Sequence, residues 1–225
     1  MAQSSNVASI KAQQRYTQQV TVKDKKSYLI AKRTMDIIGA MIGLISLSWL
    51  FLIVAVLIKL EDQGSVFFKQ IRVGKDGKQF YMYKFRSMVT DAEKRLKELL
   101  KYNEVSGAMF KMKNDPRVTK IGKFIRKTSI DELPQLWNVL KGDMSLVGPR
   151  PPLPREVAQY TEYDKQRLLV TPGCTGLWQV SARNSVGFKE MVELDLNYIR
   201  NRSILFDLKI IVKTIFVLFG SKHAF

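Results

Sequence analysis

The sequence predicts an α+β protein, mostly helical, with an apolar N-terminal segment. Three observations carry that expectation. A run of 22 uncharged residues separates Asp36 from Lys59. A hairpin pattern centred on Asp76-Gly77 follows it. Helical periodicities then recur to the C-terminus, with no long alternating strands among them. The chain divides into a polar tail over 1–28, an apolar helix over 29–62 and a larger domain over 63–225.

The tail is rich in Gln, Ser and Lys with little periodicity, so it reads as flexible or weakly helical. It is too long for a signal-peptide n-region, and no small-residue cleavage site follows the apolar run. That run, Ile37 to Ile58, would extend about 33 Å as a helix, enough to cross a bilayer. Lys32 and Arg33 precede it; Lys59, Lys69, Arg72 and Lys75 follow. Basic flanks favour the cytoplasm, and here both flanks are basic. Ser46 and Ser48 sit near its midpoint, where their hydroxyls can bond back to carbonyls and bend the helix. The residues alone leave a straight span and a re-entrant turn both open.

On the second hairpin strand, Lys84 and Arg86 share one face while Tyr81, Tyr83 and Phe85 share the other. Thr90 and Glu93 stand at capping-box spacing ahead of a charged, solvated helix. From Lys111 to Lys127 there are seven basic residues against Asp115 alone, with Ile121, Phe124 and Ile125 as an apolar stripe. Such a helix can lie on an anionic membrane surface or simply face water. Leu133, Leu136, Trp137 and Leu140 mark another helix, stopped by Gly142. "TPGCTGLWQVSARNS" reads as ordered loop, followed by a helix over "FKEMVELDLNYIRN". The last apolar stretch carries Asp207, Lys209 and Lys213, which argues for an amphipathic helix rather than a second span.

The composition excludes much chemistry. One cysteine, Cys174, allows no intramolecular disulfide and no cysteine-rich zinc site. The single histidine, His223, lies at the terminus, which leaves a Ser-His-Asp triad or Cys-His pair without a foundation. Acids and bases must come from Asp, Glu, Lys or Tyr, and any metal must be a hard ion. A net charge of +17 points to an anionic partner: nucleic acid, an acidic membrane or a phosphorylated substrate. No nucleic-acid motif is present.

Asp131 and Glu132 stand side by side among Arg117, Lys123, Arg126 and Arg150. One reading is structural: Ser129-x-x-Glu132 is a capping box, with Asp131 in the first turn. The other is chemical. A carboxylate held by N–H groups stays ionised, can share Mg²⁺ with substrate phosphates, and can attack phosphorus.

"KFRSM" (84–88), "NDPRVTKIGKFIRKTSIDELPQLWNVLKGDMSLVGPRPPLPRE" (114–156), "KQRLLVTPGCTGLWQVSARN" (165–184) and "ELDLNYIRNRSILFDLKII" (193–211) closely resemble the bacterial sugar transferase family. These are monotopic phosphoglycosyl transferases acting on polyprenyl phosphate. The resemblance implies that a UDP-sugar gives its sugar-1-phosphate to undecaprenyl phosphate, releasing UMP, as exopolysaccharide, capsule or O-antigen synthesis begins. It implies Asp131 as the nucleophile, with Asp131 and Glu132 holding Mg²⁺. Lys84, Arg86, Arg117, Arg126 and Arg150 become candidates for phosphate contact, and Gln179 and Arg183 for the nucleotide-sugar pocket. It implies that residues 63–225 are a catalytic domain on the cytoplasmic face of the bacterial inner membrane, against anionic lipids, with 29–62 re-entrant. Nucleic acid is not an expected partner, and homo-oligomerisation is left open. The competing reading is a non-catalytic basic membrane scaffold for polysaccharide assembly. The chain departs from the family where Ser48 precedes Trp49 rather than proline, where Asp62-Gln63-Gly64-Ser65 replaces a proline-rich turn, and at Ala182.

Overall fold

The uncharged run forms two helices, not one. In the computed structural model, which describes residues 19–22, 25–102, 112, 114–181 and 187–220, α1 (Lys26–Ser46) and α2 (Ser48–Asp62) meet at Leu47 with a bend of 59°. Leu47 leaves helical geometry at φ −99° and ψ 6°. Ser48 Oγ donates to the Ile45 carbonyl at 2.9 Å, and Ser46 Oγ to that of Gly43 at 3.4 Å. Hydroxyls bonded to the preceding turn bend a helix without proline. Among the described residues no single helix is long and apolar enough to cross a membrane, whereas the bent pair together meets both conditions. Its outer side exposes Ile42, Ile45, Trp49, Leu52 and Leu60, an apolar patch of the kind that lipid or protein covers. Its inner side buries Ala40, Val54 and Ile58 against the domain.

Strands β1 (Phe67–Val73) and β2 (Gln79–Phe85) form the expected antiparallel hairpin. Its turn places Asp76 and Gly77 in left-handed conformations, which Asp-Gly tolerates. Phe68 lies opposite Lys84, and Arg72 opposite Phe80, so Phe68, Gln70 and Arg72 share a face with Lys84. Ahead of α3 (Ala92–Leu99) the expected Thr90–Glu93 box does not form. Asp91 is the N-cap residue, and its carboxylate pairs with Arg95 at 2.7 Å. The basic stretch is helical as α4 (Lys120–Lys127); Lys111 and Lys113 lie outside the described residues. Three N–H groups of its first turn find acceptors: Gly122 at Thr119 Oγ1, and Lys120 and Ile121 at the Glu61 carboxylate of α2.

Helix α5 (Gln135–Lys141) ends at Gly142 as expected, but its buried side differs from the predicted stripe. Trp137 is exposed, while Gln135, Asn138 and Val139 are buried. The helix faces the open edge of β2, whose backbone groups require polar partners. Two short strands, β3 (Ser145–Val147) and β4 (Gly173–Thr175), pair in parallel; β4 falls inside the stretch read as loop. Between them come α6 (Pro154–Val157) and α7 (Glu162–Lys165), and after them α8 (Leu177–Ser181), α9 (Phe188–Asn201) and α10 (Ile204–Gly220). Val147, Val170, Val192, Leu196, Tyr198 and Ile210 belong to one core cluster, into which α9 and α10 pack.

Asp207, read from the sequence as a charge opposing a second span, is fully buried in that core. Lys32 Nζ of α1 reaches its carboxylate at 2.9 Å and the Val147 carbonyl at 3.0 Å. Tyr198 donates to the other carboxylate oxygen at 2.7 Å; burial and then Asp207 push the phenol pKa upward, so it stays a donor. These bonds tie α1 to α10 and β3. Asp207→Ala, which strands Lys32, is expected to destabilise by about 3–5 kcal/mol. Arg95→Ala, which breaks an exposed pair, should cost less than about 0.5 kcal/mol. Unfolding in detergent measures both, and equally small losses would deny Asp207 its role.

Candidate active site

The site forms where β2, α4 and the turn before α5 converge. Just beyond β2, Ser87 lies against α4. Its carbonyl accepts from Thr119 N, and a Cβ at Gly122 would stand 2.0 Å from that oxygen, so only glycine permits the approach. Ser87 Oγ accepts from Arg126 Nε at 2.8 Å. After α4, Ser129 adopts φ +56°, and Ile130–Glu132 form one 3₁₀ turn. The expected capping box is absent: the Ser129 side chain caps nothing, and only its carbonyl accepts from Glu132 N. An N-cap hydroxyl needs extended backbone to reach the first N–H groups, and Ser129 is left-handed instead.

That turn leaves Asp131 buried, at 8% exposure, with Glu132 half-buried beside it. Glu132 Oε1 accepts from Lys84 Nζ at 2.7 Å. Burial raises the Asp131 pKa to about 6; Lys84 opposes the rise, Glu132 adds to it and Arg126 opposes it. The expectation of a firmly ionised carboxylate is thus modified, because desolvation outweighs the neighbouring cations.

The dyad opens on a cavity of about 770 Å³, shared with Lys84, Arg86, Arg126, Arg150 and Gln179. Arg117 also lines it, but the Arg117 guanidinium grips Asp115 with contacts of 2.9 and 2.6 Å. Arg86 Nη1 lies 3.2 Å from Asp62 at the end of α2, in ion-pair range. The angles there do not make a hydrogen bond, so both Arg86 Nη atoms are buried without hydrogen-bond partners among the described residues. Arg183 lies outside the described residues. Every other candidate named from the sequence is therefore brought to one cavity.

Sequence reasoning missed Arg72, Arg155 and Trp178, which line the same space. The signal at Arg72 was legible: it alternates with Phe68 and Gln70 on one strand face, and that face carries Lys84 across the hairpin. Among the described residues no group of three or more acidic, His or Cys side chains converges. Two adjacent carboxylates nevertheless suit Mg²⁺, which takes one or two from protein and completes its shell with phosphate oxygens and water.

Two stability measurements test this geometry. A capping serine replaced by glycine costs a few tenths of a kcal/mol. A left-handed serine replaced by glycine loses strain, so Ser129→Gly should leave Tm unchanged or raise it; a clear fall would restore the cap. Asp131 holds a proton in the folded chain at pH values where the unfolded chain has lost it. Its contribution therefore declines as pH rises from about 4 through about 6 and is a full penalty above that. Asp131→Asn should melt higher than wild type at pH 7.5, by roughly 2–4 °C per kcal/mol relieved. The gap should close towards pH 4, and a gap independent of pH would deny the raised pKa.

With that geometry in place, comparison with known proteins is direct. The sequence model of the family described as bacterial sugar transferase matches residues 27–221. The galactosyl transferase CpsE of Streptococcus agalactiae serotype III is 54% identical over 192 residues, covering 85% of this chain and 42% of that protein. The undecaprenyl-phosphate galactose phosphotransferase of Salmonella typhimurium is 46% identical over 194 residues, covering 84% of this chain and 40% of that protein. The chain thus spans about two-fifths of those relatives. It spans 84% of the exopolysaccharide production protein ExoY of Sinorhizobium fredii, at 43% identity over 190 residues. A match of this extent, over all the described elements from α1 to α10, means that the chain belongs to the bacterial sugar transferase family.

Proposed function

We propose that the protein transfers a sugar-1-phosphate from a UDP-sugar to undecaprenyl phosphate by two displacements at Asp131. The observation that carries this reading is a buried carboxylate with a pKa near 6 facing a cavity of guanidinium and ammonium groups. An Asp131 oxygen attacks the β-phosphorus, the bond from that phosphorus to the bridging oxygen breaks, and UMP leaves with the electron pair. The lipid phosphate oxygen then attacks the phosphosugar on Asp131, and the carboxylate is released. No proton is consumed in either step. Lys84 and Arg126 are the cations that favour the ionised form of Asp131, and the Arg86 donors left without hydrogen bonds suit the phosphoryl oxygens. Mg²⁺ held by Asp131 and Glu132 would neutralise charge on the diphosphate. The name of one relative, from Aeromonas hydrophila, gives UDP-N-acetylgalactosamine and that of the Salmonella typhimurium relative gives galactose, which supports a UDP-sugar donor without choosing the sugar.

The same reading takes the bent pair α1–α2 as re-entrant, with the site at the cytoplasmic leaflet of the inner membrane. The exposed apolar patch at the bend and the basic flanks support it. Cysteines placed at residue 2 and near residue 75 should be equally labelled from the cytoplasm of intact cells. Opposite accessibility would overturn re-entry.

Membranes incubated with labelled UDP-galactose or UDP-N-acetylgalactosamine and undecaprenyl phosphate should yield labelled lipid and release UMP. Asp131→Asn should abolish transfer, and Glu132→Gln should lose most of it. With wild type, kcat/KM should fall as pH drops through about 6, because the attacking carboxylate must be ionised in the free enzyme. Undiminished transfer in both variants would return the pair to a structural role.

A further inference from the structure

Arg72 is a buried cation that makes no ion pair among the described residues. Its residue is 7% exposed, on the β1 face that lines the cavity. Nη1 donates to the Pro151 carbonyl at 3.0 Å and Nη2 to Gln70 Oε1 at 2.7 Å. Nε has no hydrogen-bond partner among the described residues. Burial and then Arg150 push its pKa down to about 10, with Glu156 and Glu132 pulling the other way. Other buried or half-buried cations contrast with it: Arg167 meets Asp195 at 2.6 Å, Arg117 meets Asp115 at 2.6 Å and the half-buried Lys32 meets Asp207 at 2.9 Å. A charge buried without its counterion is costly unless a ligand supplies one.

Two further buried atoms lack partners among the described residues, and both belong to cavity-lining side chains: Trp178 Nε1, a donor, and Gln179 Oε1, an acceptor. Arg150 and Arg155 add exposed cations to the same lining. This group stands apart from Arg126 and Arg86. Arg72, Arg150, Glu132 and Gln179 line a smaller adjoining pocket, whose lining does not include Asp131, Arg86 or Arg126. Glu132 and Lys84 line both spaces.

We propose that Arg72, flanked by Arg150 and Arg155, is the anchor of a second phosphate subsite that holds the phosphate not being transferred. The proposal rests on the transfer reading above. At one phosphorus, the group leaving and the group arriving both stand in line across from the Asp131 oxygen. The same subsite therefore receives the UMP phosphate as its bond to the sugar phosphate breaks, and the lipid phosphate before its bond forms. Each is a phosphate monoester, and Arg72 meets that shared chemistry. Trp178 Nε1 and Gln179 Oε1 serve the nucleoside alone, so they separate the two ligands.

Binding is measured with the full-length Asp131→Asn chain in detergent, using UMP and a short-chain polyprenyl phosphate as probes. Arg72→Gln should weaken both probes by roughly ten- to hundredfold, the loss expected for charge-assisted hydrogen bonds. Arg72→Lys, which keeps charge but loses the fork, should fall between. Gln179→Ala should weaken UMP only. Unchanged thermal melting of each variant, with inorganic phosphate as a third probe, separates loss of the subsite from loss of fold. Arg72→Gln that weakens only one of the two probes, or neither, overturns the shared subsite. If the unsubstituted site binds UMP and the wild type turns over while Arg72→Gln changes nothing, only this inference fails. If the wild type neither binds UMP nor transfers label, the transfer reading fails with it.

Discussion

The site depends on one fully buried amide. Asn138 Oδ1 accepts from Tyr83 N at 3.0 Å, and its Nδ2 donates to the Tyr81 carbonyl at 2.7 Å. The side chain thereby behaves as a missing strand along the free edge of β2. A second donor contact, to Asp143 at 3.2 Å, completes the amide. The consequence is positional: α5 cannot slide along the hairpin without breaking two backbone-directed bonds. The turn that precedes α5 carries Asp131 and Glu132, and the strand it is clamped to carries Lys84. The 2.7 Å contact between Lys84 and Glu132 is the product of that clamp.

Polar satisfaction is uneven across the molecule, and the unevenness marks the cavity. Asp36 accepts from Ser145 Oγ and Leu146 N, both at 2.9 Å; Asp195 and Arg167 pair at 2.6 Å with almost no exposure. Buried groups elsewhere are thus closed on one another. Among the described residues, the buried side-chain atoms left without hydrogen bonds belong to Arg72, Arg86, Trp178 and Gln179, all of the cavity, and to Asp62 beside Arg86. Groups that a ligand must meet cannot also be consumed by the protein. The raised pKa of Asp131 follows the same logic, since a solvated carboxylate would be ionised but less reactive.

Much of this was legible in the sequence. Asp76-Gly77 announced the hairpin, Gly142 the end of α5, and Ser46 and Ser48 a bend, because each acts through local backbone chemistry. The capping box at Ser129 failed because its spacing recurs whether or not the backbone ahead is extended. Here Ser129 is left-handed, a choice set by how α4 delivers the chain to the dyad. The stripe through Trp137 failed for a related reason. Periodicity assumes that an apolar surface is waiting, and α5 meets a strand edge. The pair β3–β4 was hidden because three-residue strands joined by a long crossover leave no alternation to read. Arg72 shows the limit most plainly: its strand position was visible, but its lack of an ion-pair partner among the described residues is a fact of tertiary structure.

The bent apolar segment and the site are mechanically one object. The last turn of α2 supplies Glu61, whose carboxylate receives the first two N–H groups of α4, and Asp62, which faces Arg86. Its inner side packs Val54 and Ile58 against Phe85 of β2 and Ile125 of α4. A shift of α2 would therefore move both the strand that carries Lys84 and the helix that carries Arg126. A straight helix through residues 37–58 would carry the far end of the segment away from the domain and break those contacts. The bend at Leu47 is what returns α2 to the cavity, and serine hydroxyls bonded one turn back achieve it where no proline is present.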